Sequence, residues 1–396
     1  MTGEADPPDE HPTSGPTDTS QTPPMDDAPT DAADRRTDLE TDADDTIHDD
    51  GDAATDDAAG VDRNGGCAPD PPLRTDGGFE EVAGDADVDR LQAKIDEVRT
   101  EVGKRIVGQR AVLDQLLACV LADGNALLES VPGLGKTSMV RTLASVTDLE
   151  FSRIQNTPDL MPSDITGTEI IRDAGNTREF VFEKGPVFAN VVLADEINRA
   201  TPKTQSALLE AMQERQVTAG GETYELPDPF FILATQNPID QSGTYALPEA
   251  QTDRFLLKIL LDYPSFDEET DIVDLYTAET AVPPVEQVVS RDEIREMQGL
   301  VREVPVADDI RDRAVGLVRL TREADRLEFG ASPRASMALV LTGKAKAFME
   351  GRSHVSWSDV EAMAPPVLRH RVIVDFRAER EGVDADEVVR DLLGEV

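Results

Sequence analysis

The residues most able to do chemistry sit in one stretch, Asn125-Ala126-Leu127-Leu128-Glu129-Ser130-Val131-Pro132-Gly133-Leu134-Gly135-Lys136-Thr137, where a short apolar run breaks into a glycine-bearing loop and then a helix. Binding the β and γ phosphates of a nucleotide takes backbone N–H groups aimed inward, a cation and a hydroxyl for a metal. Gly135 lets the backbone come close, Lys136 brings the charge, and Thr137 brings a hydroxyl suited to Mg²⁺. Pro132, Gly133, Leu134 and Ser138 complete the expected phosphate-binding loop. One position departs from the G-x-x-x-x-G-K-[ST] pattern. Ser130 replaces the first glycine, and its Cβ narrows the backbone angles available there. Gly-Lys-Thr also arises by chance at helix starts, so the rest of the chain has to decide.

A second group of reactive side chains closes the run Asn190-Val191-Val192-Leu193-Ala194-Asp195-Glu196. Near-continuous apolarity predicts a strand buried on both faces of a parallel sheet. Two carboxylates at its end are costly unless they act on something: Asp195 can hold Mg²⁺ through water, and Glu196 can orient and deprotonate an attacking water. A third candidate follows the strand predicted over Phe230 to Thr235. Asn237, before Pro238, either contacts the water or γ-phosphate or simply begins a turn. Finally, Leu247 to Phe255 reads as a short helix that delivers Arg254, ahead of a last strand over Leu256 to Leu261.

These groups need a scaffold, and the hydrophobic periods supply one. Helices are predicted over Val88 to Val102, Ala111 to Ala122, Thr137 to Ser145 and Pro202 to Arg215, and a strand over Phe151 to Gln155. A segment with Gly167, Gly175 and Gly185 carries alternating Glu179-Phe180-Val181-Phe182-Glu183 and predicts a hairpin. Ala219-Gly220-Gly221 predicts a second hairpin over 216–226. Ile106-Val107-Gly108-Gln109 fits a helix cap or an adenine contact equally well. After Tyr263-Pro264 the alternation of strands and helices stops. Residues 265–396 read as helices only, among them Asp267 to Thr277, Arg291 to Val301, Asp308 to Thr321, Pro333 to Met349 and Ser358 to Val367. Gly330-Ala331-Ser332-Pro333-Arg334 places proline at a helix's first turn with Arg334 next to it. The expected fold class is therefore α/β: a parallel-sheet nucleotide-binding domain over 79–263, and a small helical lid over 264–396.

Composition divides the chain once more. Residues 1–78 hold 22 Asp plus Glu, four Arg and no Lys, with almost no large apolar side chains. Such a segment cannot offset its ordering entropy and is expected to be a disordered acidic tail. Its net −18 leaves −24 of the chain's −42 over residues 79–396, and Arg (30) far outnumbers Lys (8). This balance suits a high-salt cytoplasm in which self-repulsion is screened. No basic stripe argues for nucleic acid. Cys67 and Cys119 make no disulfide framework, and His11, His48, His354 and His370 lack ligand spacing. With no apolar run of membrane-spanning length and no signal peptide, a reduced cytoplasmic location is expected.

In this order the motifs resemble the AAA+ ATPases, and more narrowly the MoxR family. The resemblance rests on Ile106-Val107-Gly108-Gln109, Pro132 to Thr137, Gln155 to Leu160, Pro162 to Gly167 and Gly185-Pro186-Val187-Phe188. It continues through Ala194 to Ala200, Ala234-Thr235-Gln236-Asn237-Pro238, Leu247 to Gln251 and Gly330 to Arg334, covering roughly residues 90–390. Ser130 is the main departure and Thr252 a minor one. The resemblance implies ATP and Mg²⁺ as ligands, with Gly108 and Gln109 beside the nucleotide. It makes Asn237 the sensor next to the γ-phosphate, Arg254 an arginine finger reaching a neighbouring subunit, and Arg334 the lid sensor. It also implies a ring, a hexamer, with the 168–188 and 216–226 hairpins as inserts. Its members are chaperone-like motors that mature or activate partner protein complexes, sometimes with metal insertion, often beside von Willebrand factor A domain proteins. Two alternatives stand beside it: a nucleic-acid motor using the hairpins as pore loops, and a nucleotide-dependent binding switch with negligible turnover.

Overall fold

Ala126, Leu127 and Leu128 follow one another without a polar break because both sides of their strand are covered. In the computed structural model, which describes residues 85–174, 177–238, 244–278 and 282–396, this strand lies inside a five-stranded parallel sheet. The tail expected over 1–78 lies outside the described residues, as does Gly175. Two helices lead in, α1 (Asp85–Gly103) and α2 (Arg110–Leu121). Then β1 (Ala126–Ser130) is followed by α3 (Lys136–Val146), β2 (Phe151–Gln155), the single turn α4 (Pro162–Thr166), and the hairpin β3 (Gly167–Ala174) with β4 (Thr177–Lys184). Next come β5 (Val191–Asp195), a 3₁₀ turn Ile197–Arg199, α5 (Pro202–Glu214), and the hairpin β6 (Gln216–Ala219) with β7 (Glu222–Glu225). β8 (Phe231–Gln236), the short α6 (Glu249–Thr252) and β9 (Leu257–Leu261) end the α/β part.

The sheet order is β2-β5-β8-β1-β9. The registers Gln155↔Asp195, Ala194↔Ala234, Glu129↔Gln236 and Ser130↔Leu261 bring all five carboxyl ends to one edge. Alternate side chains then serve opposite faces. Leu128, Leu193, Leu233 and Ile259 pack with α1, α2, α3 and the C-terminal helices, whereas Leu127, Val192, Ile232 and Ala234 pack with Leu208, Leu209 and Met212 of α5.

Gly220 and Gly221, both at positive φ (60° and 87°), make the two-residue turn of the second hairpin, where a side chain would be strained. The two hairpins touch. Phe182 of β4 stacks on Tyr224 of β7, with ring centroids 4.2 Å apart at 18°, and meets Phe188 edge-on at 5.8 Å.

The C-terminal part comprises α7 (Phe266–Thr277), α8 (Arg291–Glu303), α9 (Asp308–Thr321), β10 (Leu327–Phe329), α10 (Pro333–Met349), α11 (Trp357–Leu368), β11 (Ile373–Val374), α12 (Phe376–Arg380) and α13 (Ala385–Leu393). The expectation of helices alone needs one correction: β10 and β11 pair as a short antiparallel ladder. At three and two residues they are too brief to display an alternating pattern. Asp359, fully buried, caps α11 through Ser356 and pairs with Arg352. Arg313 lies over the ring of Trp357 at 3.9 Å, and Pro365 and Pro366 close the last turns of α11. Among the described residues no helix is long and apolar enough to cross a membrane.

Candidate functional site

The loop from Val131 to Gly135 leaves β1 at the carboxyl edge of the sheet and turns into α3 at Lys136. Gly133 (φ 89°) and Gly135 (φ 78°) adopt angles that favour glycine, and open space lies where their Cβ atoms would be. That open cradle, the free N-terminal N–H groups of α3 and a Lys136 with no ion-pair partner among the described residues match the needs of a polyphosphate. Ser130 does not distort this loop. It is the last residue of β1, in strand conformation, buried, with its hydroxyl donating to Val131 O at 3.1 Å. Its position therefore does not require a glycine.

The N-terminal turn of α2 meets the same loop. Gln109 is held at φ 52°, an uncommon angle for a side-chain-bearing residue, and its Nε2 donates to Leu134 O at 3.5 Å. Ile106, Val107, Gln109, Gly133, Leu134 and Gly135 share a cavity of about 450 Å³ with Tyr263, Ile272 and Tyr276. Helix cap and nucleotide-side contact are thus compatible roles for the Ile106 to Gln109 turn. Tyr263 and Tyr276, which the sequence reading assigned to no site, bring aromatic rings to this cavity.

Across β8 from the loop stand the carboxylates. Asp195 ends β5 and is buried; its Oδ1 accepts from Thr235 Oγ1 at 2.6 Å, and its Oδ2 pairs with Arg153 at 2.6 Å. Glu196 lies beyond the strand, contrary to the expected boundary, at φ 55° and ψ 52°. Its N–H donates to the same Thr235 Oγ1 at 2.9 Å, and its carboxylate meets Arg199 at 3.0 Å and Gln155 at 3.4 Å. Left-handed backbone costs a non-glycine residue about 1–3 kcal/mol and persists where the surroundings impose it. Here Thr235 imposes it. This fully buried hydroxyl and Arg153 are the members that sequence reasoning missed; a lone threonine before Gln236-Asn237 in an apolar strand was the available signal. Asn237 follows β8, between the strands that carry the loop and the carboxylates.

Arg254 and Arg334 are not brought to the phosphate loop. β9 starts beside β1, Leu257 against Ala126, and Leu256 N–H donates to Asn125 O at 2.7 Å. Arg254 therefore enters at the amino edge of the sheet, about 13 Å of strand from the loop. It is exposed and forms no ion pair among the described residues. Its neighbour Asp253 accepts from Ser332 Oγ at 3.0 Å and pairs with Arg371 at 2.9 Å, and Arg334 lies 4.0 Å away at the start of α10. Burial pulls the pKa of the Arg371 guanidinium down, while Asp253 opposes the shift.

The comparisons agree with this geometry. Residues 125–257 match the family described as "ATPase family associated with various cellular activities (AAA)", and residues 319–392 match "AAA lid domain". Chaperone MoxR1 of Mycobacterium tuberculosis is 43% identical over 326 residues, covering 80% of this chain and 84% of that protein. Protein MoxR of Paracoccus denitrificans is 29% identical over 327 residues, covering 76% and 95%. A crystal structure from Cytophaga hutchinsonii aligns with TM-score 0.74 at 41% identity, covering 78% of this chain and 96% of that one. With a glycine cradle at the end of β1, a carboxylate pair at the end of β5 and an AAA lid after them, the chain belongs to the MoxR family of AAA+ ATPases.

Proposed function

We propose that the protein hydrolyses ATP and uses the energy for chaperone-like remodelling of partner proteins. The observation that carries the hydrolytic reading is the convergence, at one sheet edge, of the ends of β1, β8 and β5. In this reading Gly133, Gly135 and Lys136 bind the β and γ phosphates, the cavity beside Gln109 takes the base, and Thr137 and Asp195 hold Mg²⁺. The ion, when bound, neutralises charge on the phosphates. Asn237 positions the attacking water and Glu196 accepts its proton as the oxygen–phosphorus bond to ADP breaks.

Arg254 and Arg334 stand too far from their own chain's phosphate loop to serve it, which supports their serving a neighbour's nucleotide in a ring, a hexamer in the resemblance's terms. The α/β part over 79–263 and the lid over 264–396 then meet at each shared site. Remodelling of client complexes, von Willebrand factor A domain proteins among them, extends the reading by family resemblance. A cytoplasmic setting extends it in the same way.

Glu196→Gln is expected to keep ATP binding and lose turnover by about a hundredfold or more, whereas Lys136→Ala loses binding. Arg254→Ala is expected to bind ATP without turning it over, and mixing it with Glu196→Gln restores part of the activity, since some interfaces join an intact base to an intact finger. Equal turnover in Glu196→Gln and wild type would sink the hydrolytic assignment. Undiminished turnover in Arg254→Ala would remove the shared site. Turnover that rises only when DNA is added would favour the nucleic-acid motor instead.

A further inference from the structure

The turn after α11 grips the segment that carries Arg254. Arg371 is almost fully buried, with 3% of its side chain exposed, and spends its guanidinium on that backbone. It donates to Asp253 O at 3.3 Å and Phe255 O at 2.5 Å, the carbonyls immediately before and after Arg254, and to Leu256 O at 3.0 Å. It also pairs with the Asp253 carboxylate at 2.9 Å. The two residues before it add to the hold: His370 Nε2 lies 3.0 Å from Phe255 O, and Arg369 donates to Lys258 O at 3.1 Å. From the other side, the Thr252 hydroxyl donates to His370 O at 3.4 Å. Both oxygens of the Asp253 carboxylate, including the one that meets Arg371, accept from the Ser332 hydroxyl at 3.1 and 3.0 Å, and Ser332 caps α10 by accepting from Arg334 N–H at 3.2 Å.

We propose that Arg371 is a positioning residue that fixes Arg254 and Arg334 as one unit, so that the lid sets the aim of both arginines at the neighbouring subunit's nucleotide. The inference rests on the shared-site reading above and adds a device to it. An arginine finger acts only when its guanidinium meets the transferring phosphoryl group within a fraction of an ångström. Arg254 is long and exposed, so its accuracy comes from its backbone, and both flanking carbonyls are pinned by a single planar fork. The carboxylate between them ties the same fork to the start of α10. A shift of α10 and α11 relative to the sheet therefore changes the finger offered to the next subunit, which links one subunit's lid to the catalytic rate of another.

Arg371→Lys keeps the charge and most of the volume but replaces the wide planar guanidinium, which spans Asp253, Phe255 and Leu256 together, with a compact ammonium, and Asp253→Asn removes the charge that joins the two arginines. Each is expected to lower kcat by about tenfold to a hundredfold while ATP affinity, measured by fluorescent-nucleotide titration, changes less than twofold. Adding Arg254→Ala to Arg371→Lys is expected to give no further loss beyond that of Arg254→Ala alone. Mixing Arg371→Lys with Glu196→Gln is expected to restore activity, because Glu196→Gln subunits lend well-placed arginines to intact bases. Ser332→Ala, in an outer part of the network, carries the same expectation at smaller size and stands in if Arg371→Lys does not fold by circular dichroism. Wild-type kcat in folded Arg371→Lys or Asp253→Asn overturns the proposal, as does a loss of ATP affinity that matches the loss of kcat, or a mixture no faster than its parts. The underlying reading fails separately, on undiminished turnover in Arg254→Ala.

Discussion

Thr235 has one hydroxyl and two tasks, donating to Asp195 and accepting from the backbone of Glu196. Replacing it with valine keeps the shape, leaves Asp195 with Arg153 as its remaining side-chain partner and frees Glu196 from its uncommon backbone angle. Loss of such a supporting contact costs about tenfold to a hundredfold in activity or metal affinity, so Thr235→Val is expected to lower kcat by that factor and raise the Mg²⁺ concentration needed for half-maximal turnover. A magnesium titration identical to wild type would show that the hydroxyl organises nothing. Ser130 leads to the opposite expectation. Because it already sits in strand conformation, Ser130→Gly is expected to leave ATP affinity unchanged by calorimetry while costing about 0.5–1 kcal/mol of stability through greater freedom of the unfolded chain. Tighter ATP binding in Ser130→Gly would mean that the serine does distort the loop.

At the scale of elements, α11 depends on a single buried acid. Asp359 holds the Ser356 N–H at 2.8 Å, caps the helix and pairs with Arg352, itself partly exposed. Asp359→Ala is expected to cost about 2–3 kcal/mol by urea denaturation, the usual penalty for orphaning a buried partner reduced by water's access to Arg352. A midpoint unchanged from wild type would refute this.

The long elements were legible because their apolar residues recur at clear periods. Leu91, Ile95 and Val98 mark α1, and the unbroken runs at Val191 to Ala194 and Phe231 to Ala234 mark covered strands. What stayed hidden is short or non-local. The five-residue helices α4 and α12 and the β10–β11 ladder hold too few residues to display a period, and the amphipathic α13 went unread. The backbone angle of Glu196 depends on a hydroxyl 39 residues away. The role of Arg371 depends on carbonyls more than a hundred positions back, although Arg369-His370-Arg371 was a basic triplet in an acidic chain.

Taken whole, residues 79–396 carry a net −24, and much of that charge lies on exposed carboxylates such as Asp267 and Glu269 of α7. Unscreened, such charges repel across the surface. The melting temperature is expected to rise steeply from low to molar KCl, and to do so equally after removal of residues 1–78; indifference to salt would argue against adaptation to a saline interior. The other consequence at this scale is optical. The chain has a single tryptophan, Trp357, and it stands at the first turn of α11 beneath Arg313, with its indole N–H buried and without a hydrogen-bond partner among the described residues. Its emission is therefore a one-site signal, free of background from the cavity beside the phosphate loop, whose aromatic side chains are tyrosines. The helix that begins at this fluorophore ends at the turn that holds Arg254. The colour of one indole thus reports, without any added label, on the stretch of lid that leads to the arginine.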